Sequence, residues 1–311
     1  MKCPNKNCNA ENPQGSKFCN QCGTKLETTK KCPYPDCGTD HLPAMAKFCP
    51  DCGRPLGGKE TSEISGDSDK GKKTYKVPSD FVLVEGGTFQ MGGNAYGDEK
   101  PIHSVVLSDY YIGKYLVTQK LWVDVMGKNP SSFKGYDLPI ENVSWFDCIS
   151  FCNALSRRDG WEECYRINGT SVTLLSGKHG YRLPTEAEWE FAARGGKKSI
   201  GFEYAGSNTL DEVAWYDGNS GSKTHPVGQK KANELGLFDM SGNVWEWCWD
   251  WKDSYPSSSQ TNPLGPASGA YRVYRGGSWS YCANHCRVAF RCSSSPSFSN
   301  GLLGFRLVFV S

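Results

Sequence analysis

Gly236-Leu-Phe-Asp-Met-Ser-Gly-Asn-Val-Trp-Glu-Trp247 is the stretch from which the chain is best read. A short turn carrying Asp239, Gly242 and Asn243 runs into tryptophans at 245, 247, 249 and 251. Their alternation suits burial in a core better than display as a ligand platform. Outward from this turn, residues 78–311 are rich in Gly and Trp, with sparse regular elements. Phe81-Val-Leu-Val84 and Gly87-Thr-Phe-Gln-Met91 read as a hairpin, and Val105–Leu107 and Tyr110–Ile112 as further strand material. Ser144 opens a helix whose apolar stripe is Trp145, Cys148, Ile149, Cys152 and Leu155, with Asp147 completing a capping box. Thr185-Glu-Ala-Glu188 is a second capping box behind Pro184, and Gly195-Gly196 end that helix. Gly304–Val310 reads as one last, half-buried strand.

Bulk numbers narrow the function. The chain has 311 residues, room for one large and one small domain, and a net charge of +2 that gives no footprint for nucleic acid. No apolar run nears the roughly 20 residues needed to span a bilayer. Met1-Lys-Cys-Pro-Asn-Lys has no apolar segment of a secretory signal, so a cytoplasmic location is expected.

Eight of the 15 cysteines fall in residues 1–56, in two copies of one pattern. Cys3, Cys8, Cys19 and Cys22 form the first set; Cys32, Cys37, Cys49 and Cys52 form the second. Each copy supplies the four thiolates of a closed tetrahedral zinc. Disulfides are the competing reading, but a reducing compartment favours metal, which would supply much of the folding energy of so short a segment. The two zinc ions are therefore expected to be structural, and the segment to dock or tether the protein to a partner. It resembles the double zinc ribbon. Residues 57–77, polar and Gly/Ser-bearing, read as a flexible linker.

Six segments occur in order: Gly86–Gly92, Asn142-Val-Ser-Trp145, Tyr181–Glu190, Gly236–Trp247, Arg275-Gly-Gly-Ser-Trp279 and Leu303-Gly-Phe-Arg306. Together they resemble the formylglycine-generating enzyme (sulfatase-modifying factor) family. The resemblance implies an α+β, C-type-lectin-like fold with two helices and a small twisted sheet. In the family's enzymes, which turn a peptide cysteine into formylglycine, a copper-binding cysteine pair separated by four residues follows the Gly-Gly-Ser turn. Here Cys282 and Cys286 are separated by three, which resembles the non-catalytic members. The family's branches with a separate iron-binding domain find no match, since His41, His103, His179, His225 and His285 are scattered. The resemblance also implies a calcium loop, with carboxylates from Asp239 and Glu246 and carbonyls from Gly242 and Val244. Hard oxygen donors on a tight turn suit that ion, and a buried core turn with Glu246 satisfied by backbone donors is the other reading.

Within a segment of about 276–305, the window Ser280–Leu302 is crowded with Ser, Tyr, Cys, Asn, His, Phe and Gly and holds no Lys, Glu, Asp, Gln, Met or Trp. Ala283, Arg287, Val288, Ala289, Arg291 and Pro296 resemble family framework. Between them stand Ser280, Tyr281, Cys282, Asn284, His285, Phe290, Cys292, Ser293, Ser294, Ser295, Ser297, Phe298, Ser299, Asn300, Gly301 and Leu302. Every one of these can be reached from the Asn codon AAC by changing adenines alone. The pattern resembles the variable proteins of diversity-generating retroelements, which imply a bacterial or phage-borne binder with its varied residues on one exposed face. Tyr and Phe offer contact area at low rotamer cost, and Ser, Asn and Gly adapt. The expected function is non-catalytic binding of a variable ligand, most simply a protein. The alternative is a copper-dependent oxidase acting through Cys282 and Cys286.

Overall fold

The structure is a computed structural model that describes residues 77–310. The eight cysteines read as zinc ligands and segment 57–76 lie outside the described residues. Thirteen strands and four α-helices are present among those described. They are β1 (Phe81–Val84), β2 (Gly87–Met91), β3 (His103–Leu107), β4 (Tyr110–Gly113), α1 (Gln119–Met126), α2 (Trp145–Arg158), β5 (Tyr165–Asn168), β6 (Ser171–Leu174), β7 (Gly180–Arg182), α3 (Glu186–Ala193), α4 (Leu210–Val213), β8 (Trp245–Trp251), β9 (Gln260–Thr261), β10 (Arg272–Arg275), β11 (Arg291–Ser294), β12 (Leu303–Gly304) and β13 (Val308–Val310). None of the helices is long and apolar enough to cross a membrane.

The strands form small sheets, ordered β1-β4-β13-β7, β11-β10-β8-β12, β2-β3-β9 and β5-β6. The hairpin expected from 81–84 and 87–91 is not formed. β1 pairs with β4 and β2 with β3, each antiparallel. The cause lies at Gly86. Its amide donates to Asp109 Oδ1 at 2.7 Å, and a Cβ there would meet the Leu107 carbonyl oxygen at 2.3 Å. The chain bends there against the backbone of 107–109, so two bent strands lie along each other and cross between sheets together.

Both expected helices form with their boxes closed. Asp147 N donates to Ser144 Oγ at 3.2 Å, and Ser144 N to Asp147 Oδ2 at 2.9 Å. The Thr185–Glu188 pair does the same at 3.1 and 2.8 Å. Each such cap is worth about 1 kcal/mol. Helix α1 was not anticipated, although Thr118 caps its start and Gly127, at φ 78°, its end. The last strand differs too. Residues 303–309 are fully buried rather than half buried, and the chain leaves one sheet after Gly304 to join another at Val308. Between them Arg306 turns inward to Glu246, and that ion pair breaks the strand.

Trp245 and Trp247 are 2% and 0% exposed, and Trp247 Nε1 donates to the Val143 carbonyl at 3.1 Å. With α2, β7 and the 303–309 segment they close the larger core, which includes Phe151, Phe305 and Phe309. A second core under α3 holds Trp189, Phe191, Ile112 and Val273. At about 25 cal/mol per Å², burial of a tryptophan contributes several kcal/mol. Five buried ones, Trp122, Trp145, Trp189, Trp245 and Trp247, give this loop-rich chain a rigid frame.

Candidate ligand-binding face

The window 280–302 lies over one sheet, between β10 and β12, and its backbone is held from beneath. Gly276 and Gly277 take φ of 97° and 76°, and a Cβ on Gly277 would sit 2.5 Å from Cys286 Sγ. That close approach is what demands glycine at 277. Trp279 N donates to the Asn243 carbonyl at 2.9 Å, joining this turn to the 239–243 turn. Beyond β11, the amides of Trp145, Asn142 and Trp245 donate to the carbonyls of Pro296, Asn300 and Leu302 at 3.1, 2.8 and 2.7 Å. Trp279 Nε1 donates to the Gly301 carbonyl at 2.9 Å. These anchors take hold of the window's main chain; among the side chains there, Asn300 Oδ1 accepts the Leu302 amide at 3.1 Å and Leu302 packs on the core, while Ser297, Phe298 and Ser299 are exposed.

The arginines of the window anchor it by charge. Arg287 holds both oxygens of Glu99, which is 0% exposed, at 2.6 and 3.3 Å. Arg291 grips Glu186 through Nε and Nη2 at 2.6 and 2.7 Å. Arg275 joins Glu186 to Glu190 within the same buried network. Burial pushes the Glu186 carboxyl upward, but Arg291 and Arg275 outweigh it and hold it at about 2.

Burial separates the two kinds of position. Cys286, Arg287, Val288, Ala289 and Arg291 are buried, and Ala283 and Pro296 half-buried. None of the sixteen positions read as varied is buried. Tyr281, His285 and Phe290 stand side by side, with ring centroids 5.0 Å apart for Tyr281–His285 and 4.6 Å for His285–Phe290. Trp245 lies under them, 5.3 Å from Tyr281 and 6.0 Å from Phe290. Tyr96 packs edge-on to Phe290 at 5.4 Å, and Cys292 Sγ donates to Tyr274 Oη at 3.1 Å. Burial depresses the His285 imidazole below its usual value, so it is neutral at physiological pH. Cys282, Asn284, Ser280 and, on the far loop, Ser297, Phe298 and Ser299 are exposed; Ser293, Ser294, Ser295 and Asn300 are half-buried. The result is an aromatic patch bordered by small polar groups. Its floor of Trp245 and Tyr274, and the exposed Tyr96 at its edge, lay outside the sequence reading of the window. The tryptophan alternation was the available signal, because its first member reaches this surface from below.

Cys282 and Cys286 do not form a thiol pair facing one surface. Cys282 is exposed, with Sγ 3.1 Å from His285 Nδ1. Cys286 is 0% exposed among Leu210, Val213 and Ala214, and burial pushes its thiol up to about 12. A buried neutral thiol and an exposed one lack the paired thiolates that suit copper(I).

The expected calcium loop does not fit the ion. Both Glu246 oxygens accept from Arg306, at 2.6 and 2.8 Å, and Oε2 also from Trp189 Nε1 at 2.9 Å. Asp239 Oδ2 accepts from the Gly228 amide at 2.8 Å, and burial raises its carboxyl to about 6. Gly242 donates its amide to the Gly276 carbonyl and needs φ of 79° against Trp215. Val244 is 0% exposed. The four residues knit the core, and the carboxylate is satisfied by a guanidinium and an indole rather than by the backbone donors considered for it.

Residues 67–310 match the model of the sulfatase-modifying factor enzyme 1-like domain. The chain belongs to that family. Its fold is accordingly α+β and C-type-lectin-like. Residues 3–53 match the double zinc ribbon, a domain suited to zinc. Chaperone protein LppX of Paenibacillus barcinonensis is 44% identical over 246 residues, 69% of this chain and 83% of that protein. The formylglycine-generating enzyme of Streptomyces coelicolor is 44% identical over 283 residues, covering 72% of this chain and 87% of the enzyme. Among solved structures, Treponema denticola variable protein 1 superposes with a TM-score of 0.70 at 42% identity, covering 76% of this chain and 98% of that one. The chain therefore resembles both an enzyme and a variable protein, and its own site geometry has to choose between them.

Proposed function

We propose that the protein is a non-catalytic binder whose face at 280–302 is diversified by adenine-directed retroelement mutagenesis, and that its ligand is a protein surface. The observation that carries this reading is the pattern of burial. All sixteen positions read as varied are at least partly exposed, while buried Cys286, Arg287, Val288, Ala289 and Arg291 between them hold the frame. The likeness to Treponema denticola variable protein 1 supports it. The opposite burial of Cys282 and Cys286 weighs against the oxidase reading. Seven unpaired cysteines among the described residues favour a reducing compartment, the cytoplasm. Two structural zinc ions held by Cys3, Cys8, Cys19, Cys22 and by Cys32, Cys37, Cys49, Cys52 would dock the binder to its partner.

The test is a displayed library of the full chain. The sixteen codons are varied within the AAC-derived set and selected against an unrelated folded protein such as lysozyme. The expected outcome is that most members fold and that binders emerge with changes at Tyr281, His285 and Phe290. General loss of folding would sink the proposal. At the DNA level, a neighbouring near-copy with adenines at these codons is expected. Stoichiometric copper(I) binding lost in both Cys282→Ser and Cys286→Ser, with oxidation of a peptide cysteine, would favour the enzyme instead.

A further inference from the structure

On the side of the β8–β10–β11 sheet opposite the aromatic patch lies a cavity of about 340 Å³, roofed by the loop that carries Ser254–Pro266. Alternation sets the two sides apart. Cys292 and Trp247, both in register with Tyr274, face the patch side, whereas Arg291 and Asp250 face the cavity side. Its walls are apolar where Met91, Tyr255, Pro256, Pro263 and Leu264 line it. Its volume is within the range of small-molecule sites.

Among the polar groups in the wall, one carboxyl has no directly paired cation. Glu186 is saturated by Arg275 and Arg291 and also accepts from Tyr255 Oη at 3.2 Å. Arg291, besides Glu186, donates to the carbonyls of Asp98 and Asp253 at 2.9 and 3.1 Å. His103 Nδ1 donates to the Pro101 carbonyl at 3.1 Å. Asp250 is different. It is 4% exposed, and Oδ2 accepts only the Glu186 amide, at 2.7 Å. Among the described residues no cation forms an ion pair with it, and Oδ1 accepts no hydrogen bond. Asp253, exposed at the mouth, adds a second carboxylate without an ion pair. A buried carboxylate without a paired cation is costly, so such a group stays protonated until a counter-charge arrives.

We propose that this cavity is a fixed ligand site, separate from the varied face, that takes a small organic cation: a protonated amine or amidine on an apolar body, with Asp250 as its counter-ion. Supporting this, burial and the nearby Glu186 charge raise the Asp250 carboxyl to about 8, so near pH 7 it is held as the neutral acid. The groups around it are Glu186 and Glu188 on α3, Arg291 on β11, Arg272 on β10, His103 on β3 and Asp253 on the loop. An entering cation favours the carboxylate and releases the proton to solvent. A ligand held here would brace the strand that carries Cys292 and Ser294 from behind, whatever the varied face is doing.

Calorimetry on the full chain tests this with benzylamine, benzyl alcohol and benzoate as probes of one shape and three charges. Benzylamine is expected to bind one site near pH 7 with net proton release, seen as a dependence of the heat on buffer ionisation enthalpy. Benzyl alcohol and benzoate are expected to bind at least tenfold more weakly. Asp250→Asn should weaken benzylamine at least tenfold, and Gln260→Trp, which fills the mouth from an edge strand, should abolish binding. Tyr281→Ala/Phe290→Ala should leave binding unchanged. No binding of benzylamine, equal binding of the three probes, indifference to both cavity variants, or loss on changing the varied face would each overturn the proposal.

Discussion

Replacing Arg287 by Met is the sharpest test of the division between frame and face. The guanidinium is the partner of both Glu99 oxygens, and no other cation pairs with that carboxylate among the described residues. Glu99 is 0% exposed, so the substitution leaves a buried charge without compensation. Breaking such a pair from one side costs about 3–5 kcal/mol. For a unit of this size, that lowers Tm by about 6–20 °C. Asn284→Ala and Ser293→Ala, from the varied set, should stay within about 0.5 kcal/mol. The assay is urea unfolding followed by tryptophan fluorescence. All ten tryptophans lie beyond residue 77, so the signal reports this part of the chain alone. The double change Glu99→Gln/Arg287→Met removes both charges and should recover much of the loss. The reasoning fails if Arg287→Met costs under about 1 kcal/mol, or if the varied-site changes cost as much.

Other outcomes follow from the same structure. Asp250 is an acid whose folded pKa, about 8, exceeds its unfolded value of about 3.9. Its contribution is therefore complete below pH 4 and declines as pH rises towards 8. Asp250→Asn should remove that slope and gain on the order of 4 kcal/mol at pH 8.5 relative to pH 4, measured by urea titration at each pH; an unchanged slope would refute this. Glu186, held at about 2, acts in the opposite sense, its contribution being lost only as pH falls from about 4 to 2. Gly301→Ser should stabilise by about 1 kcal/mol, because Glu141 Oε2 is buried without a partner and a Cβ at 301 would lie 3.5 Å from it; destabilisation would show that the carboxyl needs no donor. Iodoacetamide should label Cys282 in the native protein and Cys286 only after unfolding, as followed by peptide mass spectrometry; equal rates would restore the paired-thiol reading.

Local signals were legible wherever the chain answers its own neighbours. Both capping boxes and the helix at 145 rest on spacing within a few residues. The failures involve partners far along the chain. The 81–91 hairpin depended on Asp109 and on the backbone of 107–109 lying against Gly86. The single last strand was undone by the Arg306–Glu246 pair, 60 residues apart. The same pair removed the calcium ligand, because motif resemblance shows a carboxylate but not which cation reaches it.

By itself the sequence determined the family, the eight-cysteine repeat and the residue vocabulary of the 280–302 window, since these are properties of order and composition. Tertiary structure decided which side each residue faces. Adjacent residues of a strand point in opposite directions, so Arg291 enters the core and Cys292 reaches the patch only once β11 is paired in register with β10. It also decided that Cys286 is sealed while Cys282 is open, and that Asp250 faces a cavity with no cation paired to it among the described residues. Burial and charge compensation are sums over neighbours that the chain assembles only when folded.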